Sequence, residues 1–455
     1  MQAESGGFAP GESRRRCARS RRFGEQNRAV EPVHRLGDDV EGGGWPSRGA
    51  KSGYRADVYS YENFQGIAGN GKPDVLVLDT DSRFDDPETA CRKVFNATRI
   101  LQRLGAERFY NKTCSVFRGN IGAEFDAMLD ALGERSAAVV LGFPKNGRVT
   151  VDGIHYVHGK KLEDSEFRHD PMHPMTESSL IRILQAQTPR TVSLVAHRTV
   201  EAGPEAVRAE WRRLAGDASY VIFDVGKQRD LATIAKALYD CKVMAGSSAI
   251  AEEIAALDPK TSLGSLAVPA ARPGLGALVV AGSLMPQTAA QIEHFKTGCG
   301  QTVELPTIRL FDREARESLI SETADLLCRR IRAGEPVLLH ASNDAATVQA
   351  TKSAGRAAGL TNREVSQLVS GTLADAASLV VRETGLNRLV VAGGDTSASV
   401  CRKLGISGMT VWKEIQPGLP SCITLSDQPM LIVLKSGSFG SASFLEQAVA
   451  HLKEN

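Results

Sequence analysis

From residue 53 onward, short apolar runs alternate with longer amphipathic stretches, and that alternation restricts the fold more than any other feature. The runs DVLVLDT (74–80), AAVVLGF (137–143), TVSLVAH (191–197), YVIFDV (220–225) and KVMAGS (242–247) have the length and composition of strands. Stretches such as DPETACRKVFNATRILQRLG (86–105) separate them. Strand and helix in alternation imply an α/β architecture with a mainly parallel sheet flanked by helices. The pattern pauses at LAVPAARPGLG (266–276), where prolines and glycines punctuate the chain. It restarts with ALVVAGS, QTVELP, PVLLHAS, RLVVAGGDT and MLIVLKSGSFG. The 455 residues exceed the roughly 250–300 at which a single core stops growing. Two such domains are therefore expected, over residues 53–268 and 274–455.

Residues 1–52 stand apart. ESRRRCARSRRFGEQNR and DDVEGGGWPSRGAKSG are rich in arginine and glycine and poor in aliphatic side chains. They bury too little surface to offset the entropy of ordering. The segment is expected to be atypical and poorly ordered and, lacking a run of four aliphatic residues, to contribute no strand. Glu4, Glu12 and the glycines argue against a transit peptide.

Composition removes several function classes. The formal net charge is +2, and basic residues beyond the leader are spread among acids. No aromatic-interleaved basic stripe of the kind a nucleic-acid groove requires is present. Eight cysteines, at 17, 91, 114, 241, 299, 328, 401 and 422, include no CxxC pair, which fits a reduced, cytoplasmic protein. No apolar stretch approaches the ~20 residues of a membrane span.

Three strands of the second half end in small-residue turns: Gly282-Ser283, Gly393-Gly394 and Ser436-Gly437-Ser438. One such turn is ordinary steric practice between strand and helix. Three at one edge of a sheet can line a groove with backbone donors, as polyphosphate binding needs. Two other motifs carry less. GIAGNGK (66–72) has Walker spacing, but Pro73 stands where a magnesium-binding hydroxyl belongs and the motif precedes its strand. HDPMHP (169–174) offers His169, Asp170 and His173, but its prolines break helical ligand spacing and no further cluster accompanies it.

The first half carries a different polar set. Asp79, Asp81, Ser82 and Arg83 follow a buried strand, and Lys112, Ser115, Arg118 and Gly119 occupy a second turn before an amphipathic helix. Arginine and lysine converging with hydroxyls suit a small hydroxylated carboxylate. Helix capping and surface pairing is the plain alternative for each motif alone.

Together, LDTDSR, NKTCSVFRGNIGAE, the stretch from GFPKNGRVTVDG to HDPMHPMTES, VVAGSLMPQTAAQIEHF, LVVAGGDTSASVCRKLGI with EIQPGLP, and LKSGSFG resemble the four-carbon acid sugar kinase family. The resemblance implies an amino-terminal domain for the sugar acid, a carboxy-terminal domain for ATP with Mg2+, and a site in the cleft between them. It implies phosphorylation of the terminal hydroxyl of a threonate, erythronate or 3-oxo-tetronate class substrate. On it, Arg83, Lys112, Thr113, Cys114, Ser115 and Arg118 would contact the acid sugar. Ser283, Gly393, Gly394, Asp395, Thr396 and Gly437 would contact ATP, with Asp395 or Thr396 near the metal. The partners implied are the two small molecules, with neither nucleic acid nor membrane, and a homodimer is admissible.

The chain also departs from the family pattern. Members open with a strand running into a DDxTGA-like turn, whereas here GDDVEGG (37–43) lacks an apolar strand before it, and Asp39 is the nearest counterpart of a catalytic base. Cys114 and Val116 stand where the family usually has aspartate and threonine. A sugar site open at one side and low turnover would follow from the opening segment, and either an altered substrate preference within the family or lost activity from Cys114 and Val116. A nicotinamide-dependent dehydrogenase ranks lower, because GLGALVVAG precedes its strand and no acid follows at the required distance.

Overall fold

The computed structural model describes residues 31–34, 53–67, 72–170, 173–259, 267–298, 300–416 and 418–455. In the amino-terminal half the strands are β1 (Glu31–His34), β2 (Ala56–Ser60), β3 (Val75–Asp79), β4 (Phe109–Lys112), β5 (Ala137–Val140), β9 (Val192–Val195), β10 (Tyr220–Phe223) and β11 (Val243–Gly246). A small antiparallel sheet of β6 (Arg148–Val151), β7 (Ile154–Val157) and β8 (Lys160–Lys161) is inserted among them. The carboxy-terminal half contributes β12 (Leu278–Ala281), β13 (Gln301–Leu305), β14 (Val337–Ala341), β15 (Arg388–Ala392), β16 (Gly408–Gln416), β17 (Leu419–Thr424) and β18 (Leu431–Lys435).

The expected α/β architecture is present, with mainly parallel strands in both halves. The two sets of strands form one sheet in the order β13-β14-β12-β15-β18-β17-β16-β2-β3-β1-β4-β11-β5-β10-β9. The join is antiparallel: β16 pairs β2 through Gly408↔Tyr59, Met409↔Val58 and Thr410↔Asp57. Because β16 and β18 run the same way on either side of antiparallel β17, the parallel strands of one half run opposite to those of the other. Their carboxyl ends therefore emerge on opposite edges of the shared sheet.

The join is specific. Gly408 leaves no room for a Cβ against the Tyr59 ring. Thr410 Oγ1 donates to Asp57 at 2.6 Å, and Arg55 pairs with the same carboxylate at 2.9 Å. Burial raises the Asp57 pKa against the pull of those two partners. One face of the sheet carries an apolar cluster that crosses the join, from Val58, Val77 and Ile250 to Leu278, Val391 and Ile432. The other face is divided into a cluster around Leu76, Phe125 and Ile222 and another around Val279, Phe295 and Phe444.

The segment 1–52 departs from expectation in one respect. β1 lies between β3 and β4, parallel to both, with Glu31↔Val75 through His34↔Leu78 on one side and His34↔Asn111 on the other. A central parallel strand is specified by hydrogen bonds from two neighbours, so EPVH needs no aliphatic run of its own. The sheet beside the acid-sugar candidates is therefore not missing a strand between β3 and β4. Asp39 follows β1 by five residues and lies outside the described residues.

Candidate functional site

β12, β15 and β18 pair in parallel, so their small-residue turns emerge side by side. Gly393 has φ +125°, a conformation that side-chain-bearing residues rarely adopt, and a Cβ there would lie 3.2 Å from Ser283 N. A Cβ on Gly437 would collide with Ser283 Oγ, and one on Gly282 with Thr396 Oγ1. The turns are also tied by backbone bonds, Gly282 N to Ala392 O at 3.1 Å and Gly393 N to Lys435 O at 2.9 Å. Beyond Gly393 the helix Gly394–Lys403 starts with no side-chain cap, which leaves its first N–H groups for a ligand.

These turns floor a cavity of about 470 Å³, within the range of small-molecule sites. Ser283, Gly393, Gly394, Asp395, Thr396 and Gly437 all line it. Its far wall comes from the helices Ala345–Ala357 and Asn362–Thr384, with Val348, Val365 and Val369 as an apolar surface. Asp395 is the one carboxylate of the lining among the described residues, and its Oδ2 accepts from Ser366 Oγ at 3.1 Å. A single carboxylate beside a polyphosphate cradle fits Mg2+, which is commonly held by one or two carboxylates plus substrate phosphates. The ion would neutralise phosphate charge there. Among the described residues no cluster of three or more histidine, cysteine, aspartate or glutamate side chains offers a metal site of the protein's own.

The acid-sugar candidates gather on the other half. Arg83 follows β3 and is 4% exposed, while Lys112, Thr113, Cys114 and Ser115 are buried at the end of β4. The two turns touch: a Cβ on Gly119 would lie 3.1 Å from Arg83 Cγ. Asn120 Nδ2 binds the Ser82 carbonyl at 3.0 Å and the Asp85 carbonyl at 2.8 Å, and Ser82 Oγ donates to Glu124 at 2.8 Å. Asp81 (φ 42°) and Phe117 (φ 59°) adopt left-handed conformations without being glycine. Such strain is often held at binding sites.

Asp170 and His173 of HDPMHP lie against these turns. Asp170 pairs with Arg118 at 2.6 Å, and His173 Nε2 donates to the Arg83 carbonyl at 3.1 Å while its ring stacks on Phe84. Arg118 Nε also lies 3.4 Å from Cys114 Sγ. Burial alone would pull the guanidinium pKa down, but Cys114 and Asp170 outweigh it and hold the group above its ordinary value. Nearby, burial pushes His155 down to about 3, so that imidazole stays neutral. Asp170 and His173 therefore belong with the acid-sugar candidates, although their spacing reads only as a poor metal motif. GIAGNGK precedes β3 and its residues 68–71 lie outside the described residues.

The structure thus brings the nucleotide candidates together at one sheet edge and the acid-sugar candidates at the opposite one. Among the described residues, none of the amino-terminal half lines the cavity.

Residues 37–254 match the model of a sugar-binding N-terminal domain, and residues 278–445 match that of a nucleotide-binding C-terminal domain. A 3-oxo-tetronate kinase of Pectobacterium atrosepticum is 31% identical over 382 residues, which span 82% of this chain and 88% of that protein. The chain belongs to the four-carbon acid sugar kinase family. A second 3-oxo-tetronate kinase, from Burkholderia multivorans, is 31% identical over 83% of this acid sugar kinase and 88% of its own length. The crystal structure of a Salmonella typhimurium LT2 protein matches with TM-score 0.81 at 26% identity, covering 92% of this kinase and 98% of that chain. A Haemophilus influenzae protein shares the fold, with TM-score 0.78 at 24% identity over 93% of this chain and 100% of that one. The amino-terminal match starts at residue 37, inside the segment that reads as atypical. No described helix is long and apolar enough to cross a membrane.

Proposed function

We propose that this enzyme transfers the γ-phosphoryl group of ATP, with Mg2+, to the terminal hydroxyl of a four-carbon acid sugar, with 3-oxo-tetronate as the first substrate to test. The observation that carries the nucleotide assignment is the convergence of three glycine turns and an uncapped helix start on one cavity. Backbone donors fixed in advance stabilise phosphate charge without reorganisation during transfer. Residues 274–455 would bind the nucleotide through Ser283, Gly393 to Thr396 and Gly437. Residues 53–268 would bind the acid sugar, with Arg83 on its carboxylate and Lys112 to Ser115 and Arg118 around it. Asp39 is the proposed general base. Six cysteines among the described residues are free thiols, which supports a reducing, cytoplasmic setting.

ADP release measured against a panel of four-carbon acids tests this reading. Substrate-dependent ADP formation with 3-oxo-tetronate, threonate or erythronate is expected. ADP formation indifferent to every acid would remove the assignment.

Transfer also requires the two groups of residues to meet. Closure about the β2–β16 join brings them together within one chain. A homodimer does so between chains, and the opposite-edge placement favours it. Mixing an Arg83→Ala chain with a Gly437→Val chain should then restore part of the activity that each lacks alone. No recovery after the subunits have been allowed to exchange would leave closure within one chain.

A further inference from the structure

Beneath the Ser436–Gly437–Ser438 turn, the chain buries a lysine that bonds no acid among the described residues. Lys435 ends β18 and is 1% exposed. Its Nζ donates to Thr288 Oγ1 at 2.8 Å, Gln291 Oε1 at 2.8 Å and the Gly437 carbonyl at 3.3 Å. All three acceptors are uncharged, and they match the three donors of an ammonium group.

The same trio controls the turn. Thr288 Oγ1 donates to the Gly437 carbonyl at 2.7 Å. Gln291 Nε2 reaches the carbonyls of Phe439 at 2.8 Å, Gly440 at 3.1 Å and Ser441 at 3.0 Å. Four carbonyls are thus drawn inward, toward the helix Pro286–Gly298 that carries Thr288 and Gln291. Drawing carbonyl dipoles inward favours outward-directed N–H groups, the arrangement that binds anions. Ser436, Gly437 and Ser438 line the cavity on that outward side.

The charged groups on the elements packed around Lys435 are engaged elsewhere or exposed. On the helix Pro286–Gly298, Glu293 pairs with Lys296 at 2.7 Å and His294 with Glu446 of the helix Phe444–Glu454 at 2.9 Å. His451 of that last helix bonds Ser421 Oγ at 2.8 Å, and its Lys453 and Glu454 are exposed. Arg388 of β15 binds the carbonyls of Leu452 at 3.1 Å and Asn455 at 3.0 Å. On the helix Gly394–Lys403, Asp395 bonds Ser366 at 3.1 Å, Lys403 pairs with Asp375, and Arg402 is exposed. Among the described residues none of these bonds the lysine, whose partners are Thr288, Gln291 and Gly437, so a bound polyphosphate would supply compensating negative charge.

We infer that Lys435 is a positioning residue of the phosphate cradle, holding the 436–438 turn open to an anion and gaining a proton when nucleotide phosphates bind. This rests on the nucleotide assignment above. Without ligand, burial lowers the Lys435 pKa to about 7. A phosphate anion nearby favours the ammonium form. Proton uptake should accordingly be small at pH 6, where the amine is already charged, and approach about one proton per nucleotide near pH 8.5.

Calorimetric titration of the intact protein with MgADP, in buffers of different ionisation enthalpy, measures that count. Lys435→Met supplies the baseline for protons carried by the nucleotide. It should bind at least about tenfold more weakly at pH 7 and should show no rise in uptake with pH. Gln291→Met, which frees the 439–441 carbonyls and removes one of the three acceptors of the ammonium, should weaken binding and keep the uptake, with its rise moved to lower pH. Wild-type binding without pH-dependent uptake would overturn the inference while leaving the nucleotide assignment intact. Absence of MgADP binding by the wild type would overturn both. Should Lys435→Met fail to fold, the wild-type count alone decides.

Discussion

Gly437→Val is expected to weaken ATP binding at least about 100-fold, roughly 2.7 kcal/mol, in a protein that remains folded. The added Cβ meets Ser283 Oγ and lies 2.9 Å from Met285 Cγ, both at the mouth of the cavity and away from the apolar clusters. Ser283 must move, and the γ-methyl groups then stand where backbone N–H groups would face phosphate. Gly393→Val should lose binding as well but also destabilise the fold, because its φ of +125° is strained for any residue with a side chain. Binding titrations paired with thermal melts separate the two. A folded Gly437→Val protein with unchanged ATP affinity would show that the turn is not part of the nucleotide site.

Arg83→Lys is expected to raise the KM for the acid sugar at least about tenfold, since an ammonium cannot reproduce the planar fork that a guanidinium offers to a carboxylate. ATP affinity should not change, because Arg83 stands on the opposite sheet edge from the cavity. Asp170→Asn is the informative companion. It removes the charge that pairs with Arg118 at 2.6 Å without touching Arg83. It should raise KM by a smaller factor, with kcat less affected. Equal loss of sugar and nucleotide affinity in Arg83→Lys would indicate damage to the fold and remove its role at the carboxylate.

The alternation of apolar runs and helices made the two halves legible because parallel strands buried on both faces must be nearly continuous in aliphatic residues. RLVVA and LIVLK are such cases, and every residue of β15 is buried. The glycine turns were legible for a related reason, since a bare backbone at a strand end has few uses. β1 was not, because EPVH is held by its neighbours in the sheet and has no strand pattern of its own. The antiparallel seam of β2 and β16 was also hidden. What fixes it is long-range: a buried Asp57 bonded to Thr410 across 353 residues of sequence and a glycine under Tyr59. Asp170 and His173 gained meaning only when Arg118 and Arg83 were placed beside them. Lys435 reads in LIVLK as the polar end of a strand, and only its three uncharged acceptors reveal a buried ammonium site.

The departures at Cys114 and Val116 also take on a physical form. Val116 joins the apolar cluster of the first half, and Cys114 is buried with its sulfur against Arg118. Asp170 supplies Arg118 with a carboxylate partner, so with a cysteine at position 114 that guanidinium is still paired.

The central claim, that the three small-residue turns of the carboxy-terminal half are the phosphate cradle of a sugar-acid kinase, is tested most directly by a crystal structure of the protein with MgADP. Phosphates are expected against the backbone N–H groups of Gly394 and Gly437, the metal beside Asp395, and the base toward Val348, Val365 and Val369. Nucleotide bound instead at the ends of β3 and β4, around Arg83 and Lys112, would contradict it.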